Sequence, residues 1–373
     1  MKFTILKTNL LNALNTVSKA ISNKNPNAIL TGVKLELNEL GLTLIGTDTD
    51  ISISTFISKN NEDEQIITIF ETGSIIISCK YLLDIVRKFD NEVIEFELVE
   101  HSLLKIRDNL SDFSLNTMKV EDFPNIDFND DGNEITLKSS DLRDIIDQTC
   151  FAASDKETRP ILTGVNFKAN GKVLECVATD SYRLAKKIIN LDENSTFNVT
   201  IPAKTLNEIG KILETESNIT LAISSKKIIF NLKNTKISTR LISGVYPDTS
   251  KIIPTSFLYS LDSSSQSIVN AIDRASLLSP EKSNFVKMSL SEDSFIISSK
   301  SLEIGSVVER IKNFIYHGDR LDISFTARYV IDAIRAIGSE EVTILLNGDM
   351  KTFIIKNKND DSNIQLVQPV RTY

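Results

Sequence analysis

The sequence predicts an α+β protein of three tandem domains, each with two helices laid on antiparallel sheets. Two observations predict it. First, the chain repeats itself: Leu30-Thr31-Gly32-Val33 returns as Leu162-Thr163-Gly164-Val165, and Thr47-Asp48 returns as Thr179-Asp180, both at an offset of 132 residues. A chain of 373 residues holds three units of about that length, each large enough to bury its own core. Second, six stretches with helical apolar spacing alternate with runs of period two, which are half-buried strands. Repetition at this scale favours a scaffold or an assembly, because catalytic residues rarely come in copies.

The elements follow in order. The first helix is expected at 8–21, where Leu10, Leu14, Val17 and Ile21 make one apolar face. Val33-Lys34-Leu35-Glu36-Leu37 and Ile51-Ser52-Ile53-Ser54 then alternate as strands. A second helix at 80–89 carries Leu82, Val86 and Phe89, and the first unit closes on a strand, a bend and an aromatic-Pro corner ending at Pro124. The second unit repeats the plan with helices at 138–149 (Leu142, Ile145, Ile146) and 204–213 (Leu206, Ile209, Leu213). Its hairpins turn at Asn170-Gly171 and Ser225-Lys226-Lys227, and it closes on a second aromatic-Pro corner at Tyr246-Pro247. Helices at 265–279 (Ile268, Ile272, Ala275) and 326–337 (Val330, Ile334, Ile337) belong to the third unit, which ends on the strand-like Ile364–Tyr373. The expected domains are therefore 1–125, 126–254 and 255–373. The third copy has diverged most: Ser298-Ser299-Lys300 stands where the Thr-Asp pair would be.

Composition narrows the function. Apolar residues make up 41% and charged residues 25%, as in ordinary soluble domains. No apolar run is long enough to span a bilayer, and the amino terminus lacks a signal peptide's apolar stretch. Three cysteines, Cys79, Cys150 and Cys176, without paired spacing read as reduced thiols of a cytosolic protein. His101 and His317 lie beside turns with no ligand-spaced partner, so no metal is expected. No nucleotide-binding or nucleophile-elbow motif occurs, and neither a cofactor nor a catalytic residue is expected. The sharpest enzymatic alternative is a metal-dependent hydrolase site made of Asp48, Asp50 and Asp180. Against it, an Asp after Thr at a strand end commonly caps a turn, and these residues have no His or Lys at fixed spacing.

Net charge is −8, which alone argues against a nucleic-acid partner. Its distribution is informative. The six expected helices hold eleven basic and seven acidic residues, a net +4, leaving −12 for the rest of the chain. A helix of about 14 residues is roughly 20 Å long, enough to run beside about a dozen phosphates of a duplex spaced by roughly 1.7 Å per charge. Such contacts would be to the backbone and carry no sequence information. The bland alternative is that surface helices are commonly basic, or that the chain forms a structural ring with no DNA role.

At Val177-Ala178-Thr179-Asp180-Ser181-Tyr182-Arg183-Leu184-Ala185 the chain resembles the bacterial sliding clamps, the beta subunits of DNA polymerase III. The opening Met1–Ile5, the Gly46-Thr47-Asp48 segment, Asp122–Asn125, Tyr246–Pro254, the helix Arg328–Ala336 and the closing Gln368–Arg371 fall in the family's order along the whole chain. The resemblance implies clamp-type domains in a head-to-tail homodimer, a six-domain ring around double-stranded DNA with helices lining the hole. It implies a cytoplasmic, nucleoid-associated processivity factor with no catalysis of its own. The implied partners are the replicative polymerase alpha subunit, the clamp loader complex and other clamp-binding repair and replication proteins; no membrane is involved.

The resemblance also implies a pocket between the second and third domains for a partner's short hydrophobic peptide. Carried over by position, it comprises Leu162, Thr179, Ser181, Tyr182, Arg183, Leu184, Pro247, Lys251, Ile252, Tyr329, Met350, Leu366, Val367, Gln368, Pro369, Val370 and Arg371. Arg183 and Arg371 would rim it and hydrogen-bond the peptide. Tyr182 stands where a His is usual, Lys251 where an Arg is frequent and Gln368 where a Met is common, which puts the usual peptide preference in doubt. The implied DNA-facing residues are Lys24, Lys80, Arg87, Lys156, Arg159, Lys204 and Lys211. The implied dimer interface joins Tyr81, Phe113 and Leu115 to Leu277 and Leu278, and that Leu pair extends its helix's apolar face beyond internal need.

Overall fold

The computed structural model describes residues 1–61, 64–100, 102–214, 216–279 and 284–371. His101, Thr372 and Tyr373 lie outside the described residues. The six expected helices are present: α1 Lys7–Val17, α2 Cys79–Lys88, α3 Ser139–Thr149, α4 Ala203–Gly210, α5 Ser265–Ser276 and α6 Ala327–Ile337. Three end three or more residues earlier than expected, α5 among them at Ser276. After Val17 the chain tightens into a 3₁₀ turn at Ser18–Ala20, and α4 stops at Gly210, the residue with the largest backbone entropy to lose.

The three repeats pack as two compact units, Met1–Ser139 with Glu208–Leu241, and Ser140–Asn207 with Ile242–Tyr373. The division runs through the middle repeat because sheets cross the repeat boundaries. In the first unit an eight-stranded antiparallel sheet runs in the order Asn133–Lys138, Asn218–Ile223, Lys227–Leu232, Thr235–Arg240, Ile51–Ser58, Gly41–Thr47, Gly32–Asn38, Gly73–Ser78. Its fourth and fifth strands come from different repeats. In the second unit a seven-stranded sheet is joined in the same way, Arg183–Pro202 of the middle repeat pairing with Asp360–Val367 of the third. A strand left at an edge would expose its amides and carbonyls; pairing it with the next repeat satisfies them.

The two joints are equivalent. Ile51 pairs with Thr239 and Thr55 with Thr235 in the first; Arg183 pairs with Val367 and Lys187 with Asn363 in the second. Ile51 and Arg183 are again 132 residues apart.

Each unit keeps one further large sheet, and the first also has the two-stranded pair Asn60–Asn61 with Glu64–Gln65. In the first the large sheet is five-stranded and ends at Asp112–Asn116, an outer strand that is mostly exposed. In the second it is four-stranded and ends at Gly305–Ile311, also mostly exposed. Between this four-stranded sheet and the seven-stranded one lie α5 and α6. Ile268, Ile272 and Ala275 of α5 and Val330, Ile334 and Ile337 of α6 are buried with Phe295, Phe325 and Phe353. Burying each large side chain stabilises the fold by about 1.5–3 kcal/mol. Ser264 caps α5 by accepting from the Ser267 amide, and Gly338 ends α6 in the left-handed conformation at φ 68°.

All three cysteines are free and buried. Burial pushes the Cys79 and Cys150 thiols up to about 12, and Cys176 also well above its ordinary value.

Candidate functional site

The repeated Thr-Asp pair is a hairpin turn, built twice. At residues 179–183 the Thr179 Oγ1 accepts from the Ser181 amide at 3.1 Å and donates to the Arg183 carbonyl at 2.6 Å. Asp180 Oδ1 accepts from the Tyr182 and Arg183 amides at 2.8 and 3.0 Å. At residues 47–51 the same four bonds recur, with Thr47 and Asp48 in the same roles, at 3.0–3.1 Å. The third residue has positive φ in both, Thr49 at 83° and Ser181 at 80°, a conformation that costs free energy for a residue with a Cβ. Side-chain acceptors close by hold it there. The aspartates are thus engaged with backbone amides. Asp50, the remaining acidic candidate, lends its carbonyl to the Arg240 amide and the Thr239 hydroxyl. Among the described residues no three His, Cys, Asp or Glu side chains are grouped to hold a metal.

The second hairpin stands beside a cleft of about 320 Å³ lined by Arg159, Leu162, Thr179, Ser181, Tyr182, Arg183, Leu184, Pro247, Thr249, Ile252, Thr352, Leu366 and Gln368. Its floor is the surface of a small hydrophobic cluster in which Leu162, Leu184 and Leu366 pack with Val177, Tyr246 and Ile354. Tyr246 belongs to the aromatic-Pro corner, and burial raises its phenol well above the usual range. The first unit has the related cluster Ile29, Leu30, Ile76 and Phe123, built on the first corner. There Ser52 and Ser238 occupy the register positions of Leu184 and Leu366. The Ser52 hydroxyl bonds Thr47 Oγ1 at 2.8 Å. The apolar floor therefore exists at one joint only.

A second cleft of about 430 Å³ is lined by Tyr182, Asn284, Phe285, Thr326, Arg328, Tyr329, Gln368, Pro369 and Val370. Tyr182 and Gln368 line both clefts, and the Gln368 amide donates to the Tyr182 carbonyl at 2.9 Å. Burial raises the Tyr329 phenol.

The structure places several of the expected site residues differently. Val367 lines neither cleft: it is 0% exposed in the core under α5 and α6, because it follows Leu366 on a strand and so faces the opposite side. Arg183 reaches the cleft, but its guanidinium is committed within the chain. Nε donates to Asp180 at 3.1 Å, Nη1 to Asp332 at 2.7 Å and Nη2 to the Phe151 carbonyl at 2.5 Å. Arg159, expected beside DNA, lines the apolar cleft. Lys251, Met350 and Arg371 are exposed but line neither cleft. Of the lining residues that sequence reasoning missed, Thr249, Thr352, Asn284, Phe285 and Thr326 come from loops and strand ends with no distinguishing local pattern, and Arg328 lies in the first turn of α6.

The remaining basic candidates are all exposed. Lys80 and Arg87 lie on α2, where Arg87 also bonds Asn15 at 2.8 Å. Lys204 opens α4, and Lys211 just beyond its end pairs with Glu208 at 2.7 Å. Lys24 and Lys156 sit in loops at corresponding places in two repeats. Of the expected partner surface, Tyr81, Phe113 and Leu277 are 59%, 39% and 76% exposed, while Leu115 and Leu278 are half-buried.

Comparison with known proteins matches the chain, in succession, to the DNA polymerase III beta subunit N-terminal domain over residues 1–127, its central domain over 136–248 and its C-terminal domain over 250–371. A protein named beta sliding clamp from Bacillus subtilis strain 168 is 39% identical over 378 residues, covering all of both chains. One from Staphylococcus epidermidis is 38% identical over 376 residues, again end to end. The crystal structure of the Bacillus subtilis DNA polymerase sliding clamp superposes with a TM-score of 0.96 at 39% identity and full coverage of both chains. A Pseudomonas aeruginosa sliding clamp bound to griselimycin gives 0.93 at 25% identity, also over all of both chains.

Proposed function

Because the chain belongs to the DNA polymerase III beta subunit family, the beta sliding clamps, we propose that it works as the processivity factor of a replicative polymerase, closing around duplex DNA as a head-to-tail dimer. A clamp of this family is an accessory subunit, and the reading gives the chain no catalytic step. Its three domains are taken as 1–125, 126–254 and 255–373. The observation that carries the proposal is the pair of exposed edge strands, Asp112–Asn116 in the part matched to the family's N-terminal domain and Gly305–Ile311 in the part matched to its C-terminal domain. An exposed edge recruits another strand. Joining the first domain's edge to the third domain's edge of a second copy forms two identical contacts and a closed six-domain ring. Tyr81, Phe113 and Leu115 would then meet Leu277 and Leu278. Lys24, Lys80, Arg87, Lys156, Lys204 and Lys211 would face the phosphates without reading bases.

The apolar cleft is proposed as the seat for partner peptides, from the polymerase alpha subunit, the clamp loader and repair proteins. Leu162, Leu184, Leu366, Pro247 and Ile252 offer the apolar area, and Thr179, Ser181, Tyr182 and Gln368 the polar rim. Tyr329, Pro369 and Val370 extend the seat into the second cleft. A cytoplasmic, nucleoid-associated location follows from this role; no helix among the described residues is long and apolar enough to cross a membrane. Sedimentation of the pure protein, with titration of a fluorescein-labelled hexapeptide carrying leucine and phenylalanine side chains, tests the proposal. A dimer that binds the hexapeptide supports it. A monomer at micromolar concentration, or no binding, counts against the ring or the cleft respectively.

A further inference from the structure

The second joint has two contrasting faces. On the cleft side Leu184 and Leu366 are apolar. On the other side Arg183 and Lys187, four residues apart, stand opposite Val367 and Asn363, with Ala185 and Gln365 paired between them. All four polar side chains of this seam are buried: Arg183, Lys187, Asn363 and Gln365. Lys187 Nζ donates to the Ser362 hydroxyl on the paired strand at 3.0 Å, and the other three reach the helical layer. Gln365 Nε2 donates to the Gln148 carbonyl at 2.9 Å, and Asn363 Nδ2 to the Ala336 carbonyl at 2.9 Å. Arg183 spans furthest, from the Asp180 carboxylate in the hairpin to Asp332 on α6 and the Phe151 carbonyl after α3. Its guanidinium carbon also stands 5.3 Å from the Phe151 ring centroid and 4.6 Å from that of Tyr329.

The hairpin does not need this arginine in order to form. The copy at residues 47–51 closes with the same four bonds and has Ile51 at the equivalent position. What Arg183 adds is a fixed relation between the hairpin and α6. Tyr182, the residue before it, lines both clefts.

We propose that Arg183 is a positioning residue: it pins the Tyr182 hairpin to Asp332 and the Phe151 carbonyl, presetting the lip of both clefts, and is not a ligand of the bound peptide. The inference rests on the proposed use of the cleft. A planar fork serving three acceptors at once is suited to this task, and a lysine would serve at most one geometry. A lip left unpinned spends less time in the binding-competent arrangement, and affinity falls by that fraction.

The test is Asp332, which lines neither cleft. Asp332→Asn should weaken binding of the labelled hexapeptide by roughly five- to tenfold, and Asp332→Glu should restore most of it. In the peptide-free protein, hydrogen exchange of the Tyr182 and Arg183 amides should speed up in Asp332→Asn, with α5 amides unchanged as a control for folding. If Arg183 instead grips the peptide, Asp332→Asn frees the guanidinium and binding stays equal or tightens, while Arg183→Met abolishes it; that result overturns the proposal. Weakened binding with unchanged Tyr182 exchange also overturns it. If the parent protein binds no hexapeptide, the cleft reading fails, and the exchange comparison alone decides whether Arg183 pins the hairpin.

Discussion

Leu184→Ser would give the second joint the residue that the first joint carries at its Ser52. Leu184 is 2% exposed and packs in the cluster of Leu162, Val177, Tyr246, Ile354 and Leu366. Truncating a buried leucine costs about 2–5 kcal/mol. Here one side of the cluster opens on the cleft, so water can fill the gap, and the cost should lie near the lower end, about 2–3 kcal/mol. The new hydroxyl need not be stranded, because Thr179 Oγ1 stands where Thr47 Oγ1 receives Ser52. Binding is affected separately. Leu184 offers the cleft only a small tip, so a peptide side chain seated there would lose contact worth about one buried methylene, about 0.8 kcal/mol, roughly a fourfold loss of affinity. Thermal melting reads the first quantity, and fluorescence anisotropy with the labelled hexapeptide reads the second. A variant with the expected melting loss but unchanged affinity would refute the assignment of Leu184 to the peptide's seat.

Leu277→Ala combined with Leu278→Ala should convert dimers to monomers in sedimentation, and a persisting dimer would remove that pair from the interface. Deleting 368–373 removes the Gln368 amide bond to the Tyr182 carbonyl and the Val370 amide bond to the Ser324 carbonyl. Hexapeptide binding should be lost while the dimer stays intact. The buried thiols should resist a disulfide reagent at pH 8 in the folded protein, and all three should react once it is unfolded. Cys79 and Cys150 titrate near 12 when folded, above their unfolded value, so their contribution to stability is complete below about pH 8.5 and is lost as pH rises toward 12. A cysteine-free variant should therefore show a flatter alkaline melting profile. Asp127 is held below the ordinary carboxylate range by the Lys227 ammonium at 2.6 Å. Its stabilising share is present above about pH 4 and is lost as pH falls through its folded value. Asp127→Asn should remove that part of the acid sensitivity in pH-dependent melting curves.

Much of this was legible in the chain. The offset of 132 residues located two hairpins with one bonding pattern, and helical spacing located all six helices. Val367 shows what the sequence reading overlooked. It was grouped with Leu366 because the two are neighbours in sequence, yet adjacent residues on a strand face opposite sides. Period-two reasoning applied to Gln365-Leu366-Val367 separates the cleft side from the helix side. The packing units were not legible, since nothing in either strand announces that Ile51–Ser58 and Thr235–Arg240, 180 residues apart at the Thr55–Thr235 pair, will share a sheet. Nor could Arg159 be placed. An arginine just before Pro160 is equally at home beside phosphate or at the mouth of an apolar cleft.

The central claim is topological: the chain holds DNA by enclosing it, with little direct affinity. The measurement that tests it most directly is retention on a nicked circular duplex after loading by a clamp loader, before and after a single restriction cut. Enclosure predicts that the protein stays on the circle at salt concentrations that abolish ordinary phosphate contacts, and leaves soon after linearisation by sliding off the ends. Equal retention on circular and cut DNA, or salt-sensitive loss from the intact circle, would contradict it.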